Sequence, residues 1–300
     1  MFSRCGLFFY LSFYRGVSIM CNNLLFWLGL RGYAVLLAGF CCVAAVPATA
    51  HEFWMLAQPG TVVTGGSTRL SLNVGQNFIG DVVPFNKQYV ATLQHYSAGD
   101  KVDLLPRVAE SAGVGDFSVP LSKPGTHMFA YEGHPNRITL GAEKFQAYLQ
   151  MEGLEHIVRR REAAGTADKP AREQYRRYVK TLVNVGGASD ATYALPIGQR
   201  LEILPLSNLP AARPGDRLEL RVLYEQKPLA NALVKAWHLH DNQQLVIQTR
   251  TDEAGGAAFE LPYAGTWMVS VVHMIPASNP IRDDWESLWG NLTFVLEPGS

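Results

Sequence analysis

After residue 50 the chain is a succession of short runs in which apolar and polar residues alternate one by one. Thr68-Arg69-Leu70-Ser71-Leu72-Asn73-Val74 alternates at period two, and Tyr89-Val90-Ala91-Thr92-Leu93 is similar. Gly65-Gly66, Gly80-Asp81, Gly99-Asp100 and Pro124-Gly125 separate such runs, and Lys123 to Tyr131 reads as a turn feeding a strand. Alternation puts every second side chain on one face, and glycine or proline pairs supply the turns, so residues 51–140 predict antiparallel strands at sandwich spacing. The pattern returns after Leu201–Pro205. Arg217–Leu223, Lys227–Val234, Leu245–Arg250, Ala257–Leu261, Thr266–Val271 and Leu292–Phe294-Val295-Leu296 follow, with Thr251–Gly255 as a turn. Seven or so strands in about 95 residues is the strand density of an immunoglobulin-like sandwich.

Between these regions the period changes. Phe145, Tyr148, Leu149, Ile157 and Val158 fit the apolar stripe of a helix, with Gly153 as a bend. Tyr175, Tyr178, Val179 and Leu182 stand at i, i+3, i+4, i+7 and predict a second amphipathic helix, ended by Gly186-Gly187. Arg159-Arg160-Arg161 and Arg176-Arg177 then read as solvated helix faces. The fold class expected is mainly β: two immunoglobulin-like or prealbumin-like β-sandwich domains with a helical hairpin insertion. The boundaries are 51–140 for the first sandwich, 141–187 for the insertion, 188–204 for a linker or return strand, and 205–297 for the second sandwich.

Residues 1–50 read as a secretory signal peptide, with a second start available at Met20. The apolar run from Tyr33 to Val46 follows Arg31, is short for a membrane span, and leads to the small residues Ala48 and Ala50. Cleavage after Ala50 leaves no stable span. All four cysteines (Cys5, Cys21, Cys41, Cys42) fall in this leader. A mature chain without cysteine has no disulfides, so its stability must come from a core of sufficient size. Three of the 26 basic residues also lie in the leader, which leaves 23 against 26 acidic residues and a net charge of about −3. That balance argues against a nucleic-acid partner.

The mature chain holds no cysteine nucleophile, no Gly-x-Ser-x-Gly, no phosphate loop, no dinucleotide fingerprint and no His-Glu-x-x-His. It holds eight histidines: His51, His95, His127, His134, His156, His238, His240 and His273. His51 becomes the N-terminal residue on cleavage after Ala50, and its amine and imidazole can then chelate one ion; imidazole suits zinc, copper, iron and nickel. His273 ends a predicted strand at the rim of the second sandwich. Downstream lies Asp283-Asp284-Trp285-Glu286, read as a carboxylate-rich loop that offers Asp284 or Glu286 as an oxygen ligand or as the partner that orients an imidazole. His238 and His240, two apart on a strand, share a face and form a reserve site. For each cluster the plainer reading is structural: exposed strand histidines, and tryptophans packing one end of the sandwich.

His51-Glu52-Phe53-Trp54 at a mature N-terminus resembles the opening of a bacterial periplasmic family of unknown function, commonly described as a cobalt/nickel-uptake periplasmic component. Glu143-Lys144-Phe145-x-x-Tyr148-Leu149-x-x-Glu152-Gly153-Leu154, Arg177-Tyr178-x-Lys180-Thr181-Leu182, Val272-His273-Met274 and Asp284-Trp285-Glu286-Ser287-x-Trp289-x-x-Leu292-Thr293-Phe294 resemble the same family. Residues 205–297 are also similar to the prealbumin-like or carboxypeptidase-regulatory sandwich, through Pro228–Ala232 and Thr251-Asp252-x-x-Gly255. The resemblance implies a periplasmic, non-enzymatic metal-binding accessory to uptake, with a divalent ion as ligand (nickel or cobalt ahead of copper or zinc) and a membrane transporter component as partner. The site expected from the residues is His51, through its amine and ring, with His273 as partner and Asp284 or Glu286 as an oxygen ligand or as the group that orients an imidazole. Some nickel or cobalt members carry a further His-Pro-Phe segment, whereas Val74–Gly80 here has no histidine, which leaves the ion open. Two other readings compete: a metal-free sandwich presenting loops to proteins or glycans, and a copper oxidase built on an N-terminal histidine brace.

Overall fold

The computed structural model describes residues 51–107, 116–240 and 243–298; the expected signal peptide and its cleavage site lie outside the described residues. The strands in chain order are β1 (Glu52–Gln58), β2 (Thr61–Val62), β3 (Ser67–Gln76), β4 (Ile79–Val83), β5 (Val90–Ser97), β6 (Asp100–Asp103), β7 (Asp116–Pro120), β8 (Gly125–Gly133) and β9 (Asn136–Leu140). Two helices follow, α1 (Ala142–Met151) and α2 (Glu155–Ala163). Then come β10 (Ala171–Val185), β11 (Leu201–Pro205), β12 (Arg217–Tyr224), β13 (Lys227–Pro228), β14 (Leu233–His240), β15 (Gln243–Arg250), β16 (Gly256–Glu260), β17 (Gly265–Pro276) and β18 (Trp285–Leu296). The protein is mainly β, as the alternation predicts.

β10 joins the two halves. It pairs antiparallel with β8 and β9 and parallel with β18, so one ten-stranded sheet runs β15-β14-β17-β18-β10-β8-β5-β6, with β2 and β9 also on β10. A four-stranded sheet of β1, β3, β4 and β7 covers one face of this central sheet, and a second of β11, β12, β13 and β16 covers the other. The two expected sandwiches therefore share their middle layer, and the described residues belong to one unit. Side chains alternate across that layer: Phe129, Tyr131, Val179 and Val183 face the first sheet, while Met128, Ala130, Tyr178 and Leu182 face the second.

This placement explains why β10 is a strand where the spacing of Tyr175, Tyr178, Val179 and Leu182 predicts a helix. A central strand is buried on both faces and carries apolar residues on both, so its period-two signal disappears and chance helical spacings show through. Its residues favour extended chain: Tyr175, Tyr178, Val179, Thr181, Val183 and Val185 are aromatic or β-branched. The helical hairpin is accordingly short and ends at Ala163. Gly153 makes its bend with φ +66°, and a Cβ there would meet the Leu233 Cβ at 2.6 Å. Phe145, Tyr148, Leu149, Leu154 and Ile157 pack the hairpin on Val272, Met274, Trp285 and Trp289 of the central sheet. Each such buried side chain contributes about 1.5–3 kcal/mol.

Three other expectations are corrected. Arg161 is buried, its guanidinium over the Phe145 ring and donating to the carbonyls of Ala167 and Lys169; Arg159 and Arg160 are exposed. Arg177 lies part-buried on β10, not on a solvated helix. Trp285 and Glu286 belong to β18 and not to a loop, because β18 reaches back to pair with Pro276 and Ile275 at the far end of β17.

Inside the layers, two buried lysines are ion-paired. Lys180 Nζ donates to Glu202 Oε1 at 2.6 Å, both buried, and Glu202 also accepts from the Ile197 and Gly198 amides. Lys235 donates to Glu152 at 2.8 Å, tying β14 to the helical bend. Burial lowers the Lys180 pKa, against the opposing pull of Glu202.

Candidate ligand- and metal-binding site

β1 stands at the edge of the first sheet, and its outward carbonyls are met by side chains of the central sheet. Asn291 Nδ2 donates to the Phe53 carbonyl at 2.5 Å and Thr293 Oγ1 to the Met55 carbonyl at 2.6 Å. An edge strand needs such partners or water for its unpaired groups. The contacts fix β1 along β18, send Phe53 and Met55 into the core over β10, and place Trp54 against Trp237 and Met268. His51, just ahead of β1, is thereby held exposed above Trp289.

Two hollows meet at His51. One is open, about 590 Å³, and contains Asp81 and Gln244. The other is smaller, about 140 Å³, between Glu173, Tyr175, Arg177 and Trp289. Glu173 is a buried carboxyl. Its Oε1 accepts from the Tyr148 hydroxyl at 3.2 Å and from the Ser287 hydroxyl, which also accepts from Trp289 Nε1 at 3.1 Å. Among the described residues its Oε2 has no hydrogen-bond partner. Burial raises the Glu173 pKa to about 7, and the two hydroxyl donors only partly offset it. Glu52, on the other side of β1, is also raised to about 7 by burial and by Glu152, against the pull of Lys235.

Tyr175 and Arg177 also line a larger cavity of about 440 Å³ between β10, β8 and the first sheet. Its walls are mostly apolar and aromatic, among them Phe53, Leu72, Val83 and Tyr131, and no carboxylate lines it. The Arg177 guanidinium lies 4.5 Å from the Phe53 ring centre and 5.2 Å from that of Tyr175. Burial lowers its pKa, and among the described residues no carboxylate pairs with it.

The residues selected from sequence do not converge. His51 lies over the face of the central sheet that carries Trp289. His273 pairs with Leu288 on β18 and so faces the opposite way, its ring tilted 54° to that of Tyr224 of the second outer sheet with centres 4.6 Å apart. Registered antiparallel partners share a face, so the central sheet separates the two histidines. Burial, with His156 and Arg200 nearby, lowers the His273 pKa to about 4. Asp284 is engaged by Arg172, which donates to it from both backbone and guanidinium, and this holds its pKa below the usual carboxylate range. Glu286 pairs with Arg200 at 2.6 Å. His238 and His240 do share a face, with ring centres 6.0 Å apart, but His238 Nδ1 donates to the Thr266 carbonyl and both rings stack on Tyr263. No group of three His, Cys, Asp or Glu side chains is placed to hold a metal among the described residues.

Sequence reasoning missed Glu173, Arg177 and the buried pair His95–His127, whose rings meet at 2.8 Å between Nε2 and Nδ1. His127 Nε2 lies 2.9 Å from the Lys123 carbonyl, so it donates there and its Nδ1 accepts from His95. Reading 173, 175, 177 and 179 at period two would have put Glu173, Tyr175, Arg177 and Val179 on one face.

Residues 48–275 match the family described as "Domain of unknown function (DUF4198)", and the chain belongs to that family. No curated protein matches it. Among solved structures, it is similar to a tetra-tandem repeat in the extending region of a large adhesion protein (13% identity, 83% of this chain and 50% of that one, TM-score 0.21). It is also similar to Escherichia coli alpha-2-macroglobulin activated by porcine elastase (11% identity, 83% and 20%, TM-score 0.21). The chain thus spans half or less of these two structures.

Proposed function

We propose that this chain is an exported, non-enzymatic binding protein of the periplasm that holds a divalent metal ion through His51 as its mature N-terminus, as an accessory to uptake by a membrane transporter. Nickel or cobalt are the ions first expected. The supporting observation is the position of His51: exposed, directly ahead of the fixed strand β1, and bordering two hollows that each contain a carboxyl, Asp81 in one and Glu173 in the other. An amine, an imidazole and one carboxylate form a mixed ligand set suited to such ions. This replaces His273, Asp284 and Glu286 as partners of His51; His238 and His240 remain a separate two-histidine alternative. Neither hollow at His51 is lined by a second histidine, which counts against a copper brace.

The test is metal titration of protein secreted with His51 as its true N-terminus, beside the same protein carrying one extra residue before His51. One ion should bind to the first and be lost from the second. Equal binding would move the site away from the terminus, and no binding of nickel, cobalt, copper or zinc by either would remove the metal reading. The rival reading, a metal-free binding module, is favoured by the Arg177 cavity.

A further inference from the structure

We propose that the 440 Å³ cavity between the first sheet and β10 binds a small apolar carboxylic acid, with Arg177 as the partner of its carboxylate and the aromatic walls taking its hydrocarbon part. The inference does not depend on metal binding at His51.

Three observations carry it. The cavity falls within the size range of small-molecule sites and has their composition, predominantly apolar with few polar groups. Among the described residues, its one permanently charged side chain is the Arg177 guanidinium, and no carboxylate pairs with it. Elsewhere the buried ammonium groups have one: Lys180 has Glu202 and Lys235 has Glu152. A part-buried cation is costly unless paired, and guanidinium suits the bidentate geometry of a carboxylate. Finally, Arg177 is held in place by Phe53 and Tyr175, so little rotamer freedom is lost when an anion arrives. Glu173, which borders the smaller hollow together with Arg177, spends Oε1 on Tyr148 and Ser287 and makes no ion pair with Arg177.

The cavity fits a single ring or branched chain. His134 and Asn136 at its border add polar groups near solvent. A hydrophobic neutral molecule would fill the same walls but leave Arg177 unpaired. Acid over amide is therefore the discriminating signature.

The experiment is calorimetric titration of the mature chain with phenylacetate, 3-phenylpropionate and 4-methylpentanoate, each beside its neutral amide. At least one acid should bind, tenfold or more tightly than its amide. Arg177→Gln should bring that acid down to the affinity of the amide, with the near-UV circular dichroism of the fold retained. Val83→Trp, which fills the cavity without removing the guanidinium, should weaken the acid at least tenfold; it serves as the second variant if Arg177→Gln does not fold. Equal binding of acid and amide, unchanged acid binding in both variants, or no binding of any acid at millimolar concentration would each overturn the proposal.

Discussion

At the scale of single residues, the protein's charged side chains fall into those satisfied by the fold and those left over. Lys180 and Glu202 are satisfied: each is buried and their contact is backed by two amide donors. Removing one partner of a buried pair leaves the other charge uncompensated. Lys180→Met should therefore lower stability by about 3–5 kcal/mol, read as a shift in the urea midpoint; a loss below about 1 kcal/mol would mean that the amides alone suffice for Glu202. Replacing both partners with apolar residues of similar volume should recover much of the loss. Arg177 and Glu173 Oε2 are left over, and they border the same hollow. Their roles were hidden in the sequence because a single arginine beside another arginine looks like solvated charge. His51 is singled out in the sequence by the leader pattern, and the structure places it exposed just ahead of β1, away from the partners expected for it. His273, Asp284 and Glu286 are near one another in sequence, but pleating and ion pairing with Arg172 and Arg200 direct them elsewhere.

At the scale of elements, the runs that were legible are those with one face in an outer layer. β3 and β12 alternate cleanly because one side meets the core and the other meets water. β10 and the first half of β18 are covered on both faces, and there the pattern gives no period to read. No local feature announces that β10 runs parallel to β18, since their pairing joins residues more than a hundred positions apart. The helical bend was legible from Gly153 because a left-handed residue in a tight connection leaves a glycine signature. Gly153→Ala puts a Cβ into strained backbone and against Leu233. It should destabilise the protein by about 1–3 kcal/mol, and hydrogen exchange should show the loosening concentrated in α1 and α2. Uniform loosening across the central sheet would contradict the view that this bend serves mainly to dock the hairpin.

At the scale of the whole molecule, buried titratable groups of opposite sign set the response to pH. Glu52 and Glu173 have pKa values raised from 4.5 to about 7, so the folded state binds their protons more tightly than the unfolded chain. Their contribution is complete below pH 4.5 and lost as pH rises through 7, on the order of 3 kcal/mol each as an upper figure. His95 and His273 are lowered from 6.5 to about 4, so their contribution is complete above pH 6.5 and lost as pH falls through 4. Glu132 is displaced in the same direction as the first pair and His127 in the same direction as the second, burial being the leading cause in both. Across pH 4.5–6.5 the two sets have opposing slopes, and the native protein should show a nearly level stability profile there. Glu173→Gln removes one falling contribution while keeping an acceptor for Tyr148 and Ser287. Urea unfolding of that variant at half-unit steps should reveal stability that rises with pH, gaining on the order of 3 kcal/mol relative to the native protein between pH 4.5 and 7. A variant profile parallel to the native one would mean that Glu173 is ionised throughout this range. In that case the hollow beside His51 would present a full negative charge at every pH studied, the condition under which a metal at the N-terminus has its best third ligand.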